Sequence, residues 1–166
     1  MSARRFFLFA NPEKPETIPS VAKLADTLMM KGCTAVLDDW LHDLVNIGEQ
    51  KGKACLDASI DAVISIGGDG TLLRILPEAA ARGIPVLGVN MGHTGFLLET
   101  DGEDFLTMMD ALIQKKYMIE ERLMLRCSVN GTFSALAMNE VALTRGSDPI
   151  SLVADVMAGD EKIYTI

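Results

Sequence analysis

The stretch SIGGDGTLLR, residues 65–74, decides how this chain is to be read. It is entered through DAVISIGG, residues 61–68, a nearly unbroken apolar run and the clearest strand signal in the sequence. Beyond it, residues 71–82 follow a helical pattern that Pro77 is expected to kink or interrupt. A strand apolar on both faces that leads straight into a helix is the repeating unit of a parallel sheet covered on two sides. At the junction three glycines surround one carboxylate, Asp69. Gly67, Gly68 and Gly70 can take positive φ and leave no Cβ in a ligand's way, at a cost of roughly 0.5–1 kcal/mol each relative to Ala in regular structure. Their N–H groups and the helix start at Thr71 make an anion site at the carboxyl end of a strand, where open α/β sheets bind ligands. A carboxylate beside phosphates is unfavourable unless it takes a proton from a hydroxyl or faces a divalent cation, and both roles belong to phosphoryl transfer. A plainer role, Asp69 as a helix cap, stays open on these residues alone. The spacing is neither that of a P-loop nor G-x-G-x-x-G.

Working outward, Phe6–Phe9 is a buried strand stopped by Asn11-Pro12, too short an apolar run for a secretory signal. Val21, Leu24, Ala25, Leu28 and Met29 recur at helical spacing, with Thr17 or Ser20 as cap and Gly32 as terminator. Thr34–Leu37 reads as a strand, while residues 38–57 mix a helical pattern with Gly48 and Gly52. Ile84–Val89 is a further buried strand and Asp104–Lys115 a helix, with Lys115 and Lys116 at its cation-favouring end. From Tyr117 the pattern changes. Leu123–Val129 runs into Asn130-Gly131, a strong hairpin signal. Phe133–Arg145 continues as strand, and alternation around Leu152–Val156 leads to a turn at Gly159-Asp160. The expected architecture is therefore α/β, a Rossmann-like parallel sheet with helices on both faces over residues 1–116. The first strands of an all-β sandwich, over residues 117–166, would follow.

Composition sets the outer limits. Forty-nine per cent apolar and 23% charged residues in a chain of 166 describe a core-forming globular protein. A net charge of −8 argues against a nucleic-acid partner but not against phosphate ligands, which backbone N–H groups and a metal ion can bind. Cys33, Cys55 and Cys127 show no metal spacing and read as reduced, buried thiols of a cytoplasmic protein. No window approaches the apolar length of a membrane span.

Two more stretches carry candidate chemistry. GVNMGHTGFL, residues 88–97, places Asn90, Gly92 and Gly95 in a second glycine-rich turn after a strand; His93 reads as a bystander. In AMNEVALTRG, residues 137–146, Asn139 and Glu140 interrupt an apolar strand. Neighbours on a strand point to opposite faces, so one polar side chain would meet the core unless the strand bulges or ends at a cleft. An amide beside a carboxylate suits a base edge and ribose hydroxyls; a solvent-facing pair at a strand end fits equally well.

In their order and spacing, GGDGTLLR, GVNMGHTGFL and MNEVALTRG closely resemble the bacterial NAD kinase family, over the chain as far as about Gly146. The first motif alone is shared with diacylglycerol and sphingosine kinases. The resemblance implies phosphorylation of the adenosine ribose 2′-hydroxyl of NAD, with ATP or polyphosphate as donor and a divalent cation, Mg²⁺, as cofactor. By that likeness Asp69 is the base or orients the hydroxyl, and Gly67, Gly68, Gly70 and Thr71 shape the phosphate loop. Arg74 meets phosphate, and Asn90, Asn139 and Glu140 belong to the NAD site. The family also implies homo-oligomeric assembly. Its second-domain segment rich in Gly, Ser and Thr does not occur here. The expectation is thus a chain lacking part of the NAD site and inactive as it stands. A lipid kinase and a non-catalytic nucleotide-binding fragment are the alternatives.

Overall fold

The computed structural model describes residues 3–50, 56–90, 100–101, 105–144 and 153–166. Its centre is a six-stranded parallel sheet of order β3-β2-β1-β4-β5-β6. The strands are β1 (Arg5–Ala10), β2 (Thr34–Leu37), β3 (Glu49–Gln50), β4 (Ala62–Gly67), β5 (Val86–Asn90) and β6 (Thr100–Asp101). The doubly wound Rossmann-like architecture expected from the alternation is the one observed. β1 lies between β2 and β4, so the chain leaves β1 toward one edge and leaves β4 toward the other. In sheets of this order the place between those two departing loops is the switch point, where ligands bind as a rule.

Side-chain alternation explains the layers. Phe6, Leu8 and Ala10 of β1 join Ala62, Ile64 and Ile66 of β4 in one core. That face is covered by α1 (Ile18–Met30), α2 (Asp39–Val45) and α4 (Phe105–Ile113). Phe7 and Val63 point the other way, onto Ile75 and Ala79 of α3 (Asp69–Ala81) and onto Leu56, Ile60 and Ile84. Burying each such side chain is worth about 1.5–3 kcal/mol, which is why β4 tolerates apolar residues at successive positions. Arg4 ties the sheet to α4. Its guanidinium donates to the Leu112 and Ile113 carbonyls, ion-pairs with Asp61 at 3.4 Å and lies over the Phe6 ring. A cation at a helix carboxyl end is favourable.

Several local expectations are corrected. α1 begins at Ile18, so Ser20 lies inside it; Thr17 stands at the cap position, but its hydroxyl donates to the Lys14 carbonyl rather than capping. The ambiguous stretch after β2 forms α2, capped by Asp38, whose carboxylate accepts from the Leu41 N–H at 3.2 Å. Burial pushes the Asp38 carboxyl upward, partly countered by that bond. Helix α3 continues through Pro77 to Ala81, held on the sheet by Leu72, Ile75 and Ala79 to either side. α4 reaches only Ile113, and Lys115 follows with φ 59°.

After α4 the chain forms two separate antiparallel hairpins. β7 (Leu125–Val129) and β8 (Phe133–Ala137) are joined at Asn130 and Gly131, both with left-handed φ (50° and 67°), as a primed turn requires. β9 (Asp155–Ala158) and β10 (Glu161–Thr165) turn at Gly159-Asp160. β8 ends at Ala137, well short of the expected Arg145. Of the cysteines, Cys33 is buried and Cys127 half-buried, both as free thiols; Cys55 lies outside the described residues.

Candidate functional site

The junction between β4 and α3 is shorter than the glycine count suggests. β4 ends at Gly67 and α3 begins at Asp69, with Gly68 alone between them in the cap position. Of the three glycines only Gly67 has positive φ, 149°. A Cβ there would sit 2.5 Å from Thr71 Oγ1, so any other residue would be strained on two counts, backbone and contact. Gly68 is extended, with φ −103°. Gly70 lies in the first helical turn, where a Cβ would meet nothing within 4 Å. The freedom to take positive φ, open to all three glycines, is thus used at one. Asp69 is half-buried in the first turn of α3. It is not the cap residue, and Gly68, which is, has no side chain to do the capping.

The surrounding strands bring further predicted residues to this point. Asn90, the last residue of β5, pairs in register with Gly67 and is 6% exposed. Thr71 is 2% exposed, and its hydroxyl, packed against Gly67, has no hydrogen-bond partner among the described residues. The second glycine-rich turn, with Gly92, His93 and Gly95, lies outside the described residues.

Arg74 faces the loop after β1. Its Nη1 donates to Asn11 Oδ1 at 2.9 Å and its Nη2 to Glu13 Oε2 at 3.1 Å. Asn11, itself buried, also accepts from the Glu13 N–H. Arg74 therefore clamps the loop after β1 to α3 across the switch point. One residue of that loop was not singled out in the sequence. Lys14 Nζ lies 4.0 Å from where a Gly68 Cβ would stand. Its signal is positional: in a sheet of this order, the loops after β1 and β4 flank the same crevice.

Asn139 and Glu140 lie beyond the end of β8, both exposed. The conflict expected of adjacent polar residues on a strand does not arise, because the strand has ended. β8 approaches α3, but among the described residues no hydrogen bond or ion pair joins Asn139 or Glu140 to the glycine loop. An apolar groove of about 400 Å³ lies elsewhere. It runs from Ala62, Pro85 and Val86, at the amino ends of β4 and β5, past Leu76 to Met118 and Met124. It is thus centred toward the opposite end of the strands from Asp69. Among the described residues no group of three or more His, Cys, Asp or Glu side chains could hold a metal ion.

A family model described as the ATP-NAD kinase N-terminal domain matches residues 6–117. The chain belongs to the NAD kinase family. Among NAD kinases it is 32% identical to that of Heliobacterium modesticaldum over 160 residues, covering 93% of this chain and 56% of the relative. It is 34% identical to that of Pyrococcus furiosus over 144 residues, covering 86% and 52%. NAD kinase 2 of Streptomyces avermitilis is 35% identical over 155 residues, covering 87% and 51%. The chain thus spans about half the length of the curated relatives it matches. The crystal structure of yeast NADH kinase complexed with NADH superimposes with a TM-score of 0.79, covering 99% of this chain and 55% of that one. At 17% identity this likeness is one of fold.

Proposed function

We propose that the protein acts as an NAD kinase, transferring a phosphoryl group from ATP or polyphosphate to the adenosine ribose 2′-hydroxyl of NAD. The observation that carries this reading is the Asp69 carboxylate, set half-buried in the first turn of α3 beside the switch point of a sheet belonging to this family. In the step envisaged, the 2′-hydroxyl gives its proton to Asp69 as its oxygen attacks the terminal phosphorus. The bond from that phosphorus to the bridging oxygen breaks, and the shortened donor leaves with the electron pair. Gly67 and Gly68 let the phosphates approach the backbone, and the N–H groups opening α3 face the transferring charge. A divalent cation, Mg²⁺ by the family likeness, would neutralise phosphate charge. Asp69, which takes the proton in this step, is not assigned to that cation, and among the described residues no group of three or more His, Cys, Asp or Glu side chains could hold one. Asn90, Asn139 and Glu140 are assigned to the nucleoside end of the NAD site. The same reading carries cytoplasmic location and homo-oligomeric assembly.

A positioned general base contributes roughly 10²–10⁴-fold to rate. Asp69→Ala in the full-length protein is therefore expected to lower kcat by about that factor, with an unchanged unfolding transition. A wild-type rate would reduce Asp69 to a structural residue. Offering labelled ATP with NAD, diacylglycerol or sphingosine tests the acceptor. Label in NADP alone supports the reading; label in either lipid refutes it.

A further inference from the structure

We propose that Lys14 is the cationic side chain of the glycine-loop site, binding a phosphoanhydride group through its ammonium. The proposal rests on the kinase reading above and adds to it a residue outside all three sequence motifs.

Four observations converge on Lys14. Its ammonium stands beside Gly68, at the N-terminus of the thirteen-residue helix α3. A helix N-terminus carries partial positive charge and disfavours a cation nearby. Lys14 is exposed, so its ammonium is free to close on an anion seated at that terminus. Second, the backbone around Lys14 is fixed on both sides. Its N–H donates to the Asn11 carbonyl at 2.9 Å, and its carbonyl accepts from the Thr17 N–H at 3.1 Å and the Thr17 hydroxyl at 2.8 Å. Third, the whole loop is pinned to α3 by Arg74 through Asn11 and Glu13. The Arg74 guanidinium is occupied in that clamp, whereas Lys14 Nζ has no hydrogen bond or ion pair among the described residues. Fourth, the buried Thr71 hydroxyl against Gly67 is left without a partner in the same bend.

These facts divide the labour between two basic residues. Arg74, singled out by its motif, positions the loop after β1. Lys14, presented by that loop, supplies the mobile point charge suited to phosphate. Two groups offer the required chemistry, the phosphoryl donor and the diphosphate of NAD, and steady-state kinetics separates them.

The test compares Lys14→Gln and Lys14→Arg with wild type in the full-length protein, with thermal unfolding as a control on folding. Loss of one charge-assisted contact is expected to lower kcat/KM by about 10- to 100-fold in K14Q. K14R, which keeps the charge, should retain activity to within about threefold. A rise in KM confined to ATP assigns the contact to the donor; a rise confined to NAD assigns it to the NAD diphosphate. Unchanged kinetics in K14Q, or equal loss in K14Q and K14R, overturns the proposal. Calorimetric binding of inorganic tripolyphosphate keeps it separate from the kinase reading. Binding by wild type that is lost in K14Q supports Lys14 even if no NADP is formed; equal binding by both removes Lys14 whatever the activity.

Discussion

Strands β4 and β10 come from one chain and differ in what covers them. Every residue of β4 is buried, while every residue of β10 is exposed. β4 is sandwiched between β1 and β5 and has helices on both faces; among the described residues β10 pairs with β9 alone. The contrast extends to whole regions. Before Tyr117 the large apolar side chains left exposed are Met29, Met30 and Leu44 among the described residues. After it, Leu125, Val129, Ile163 and Tyr164 are all at least two-fifths exposed, on ladders of two strands. Apolar character alone therefore does not make a core position; neighbours on both faces do.

The largest test of that contrast is a pair of truncations. Ile64→Ala removes a fully buried side chain from the centre of β4 and is expected to cost about 2–5 kcal/mol. Ile163→Ala in β10 is expected to stay within about 0.5 kcal/mol. Chemical denaturation of this 166-residue chain measures both, and similar costs would erase the distinction. A smaller difference is expected within the glycine loop. Gly67→Ala forces a Cβ toward Thr71 Oγ1 at positive φ and should destabilise by about 1–3 kcal/mol. Gly70→Ala, in an open helical position, should stabilise by about 0.5–1 kcal/mol. Equal effects would mean that the bend does not depend on one residue.

The smallest effect lies in the exposed hairpin. The Lys162 ammonium 2.7 Å from Asp155, followed by the Thr165 hydroxyl, holds the Asp155 carboxyl below its ordinary value. A lowered carboxylate pKa adds stability that is present above the unfolded value. That stability is lost as pH falls through the folded one. Titration of the Asp155 carboxyl by NMR should therefore give a midpoint below the usual range, and Lys162→Gln should raise it. An unshifted midpoint would show that the ladder is not held by this pair.

Legibility from sequence followed the same division. β2 runs over the expected residues, and β1 and β4 lie within a residue or so of the expected runs, because burial on both faces leaves an unbroken apolar signal. The end of β8 was misread. Val141 and Leu143 continue an apolar alternation, yet both are exposed, and among the described residues the β7–β8 ladder does not continue beyond Ala137. The positions of Gly67, Asp69 and Asn90 in the fold were legible because each ends a recognisable strand or opens a helix. That of Lys14 was not, since it depends on Lys14 and Gly68, 54 positions apart in sequence, meeting at the switch point. Arg74 was found by its motif, but its bonds to Asn11 and Glu13 depend on the same tertiary approach.

The single-residue join between β4 and α3 has a mechanical consequence. With only Gly68 between sheet and helix, the donors that open α3 are seated on the rigid core rather than carried by a flexible arm. An anion arriving there has no segment to order, so little conformational entropy is lost on capture. The corollary is low tolerance. A bend this tight cannot follow a ligand displaced by an ångström.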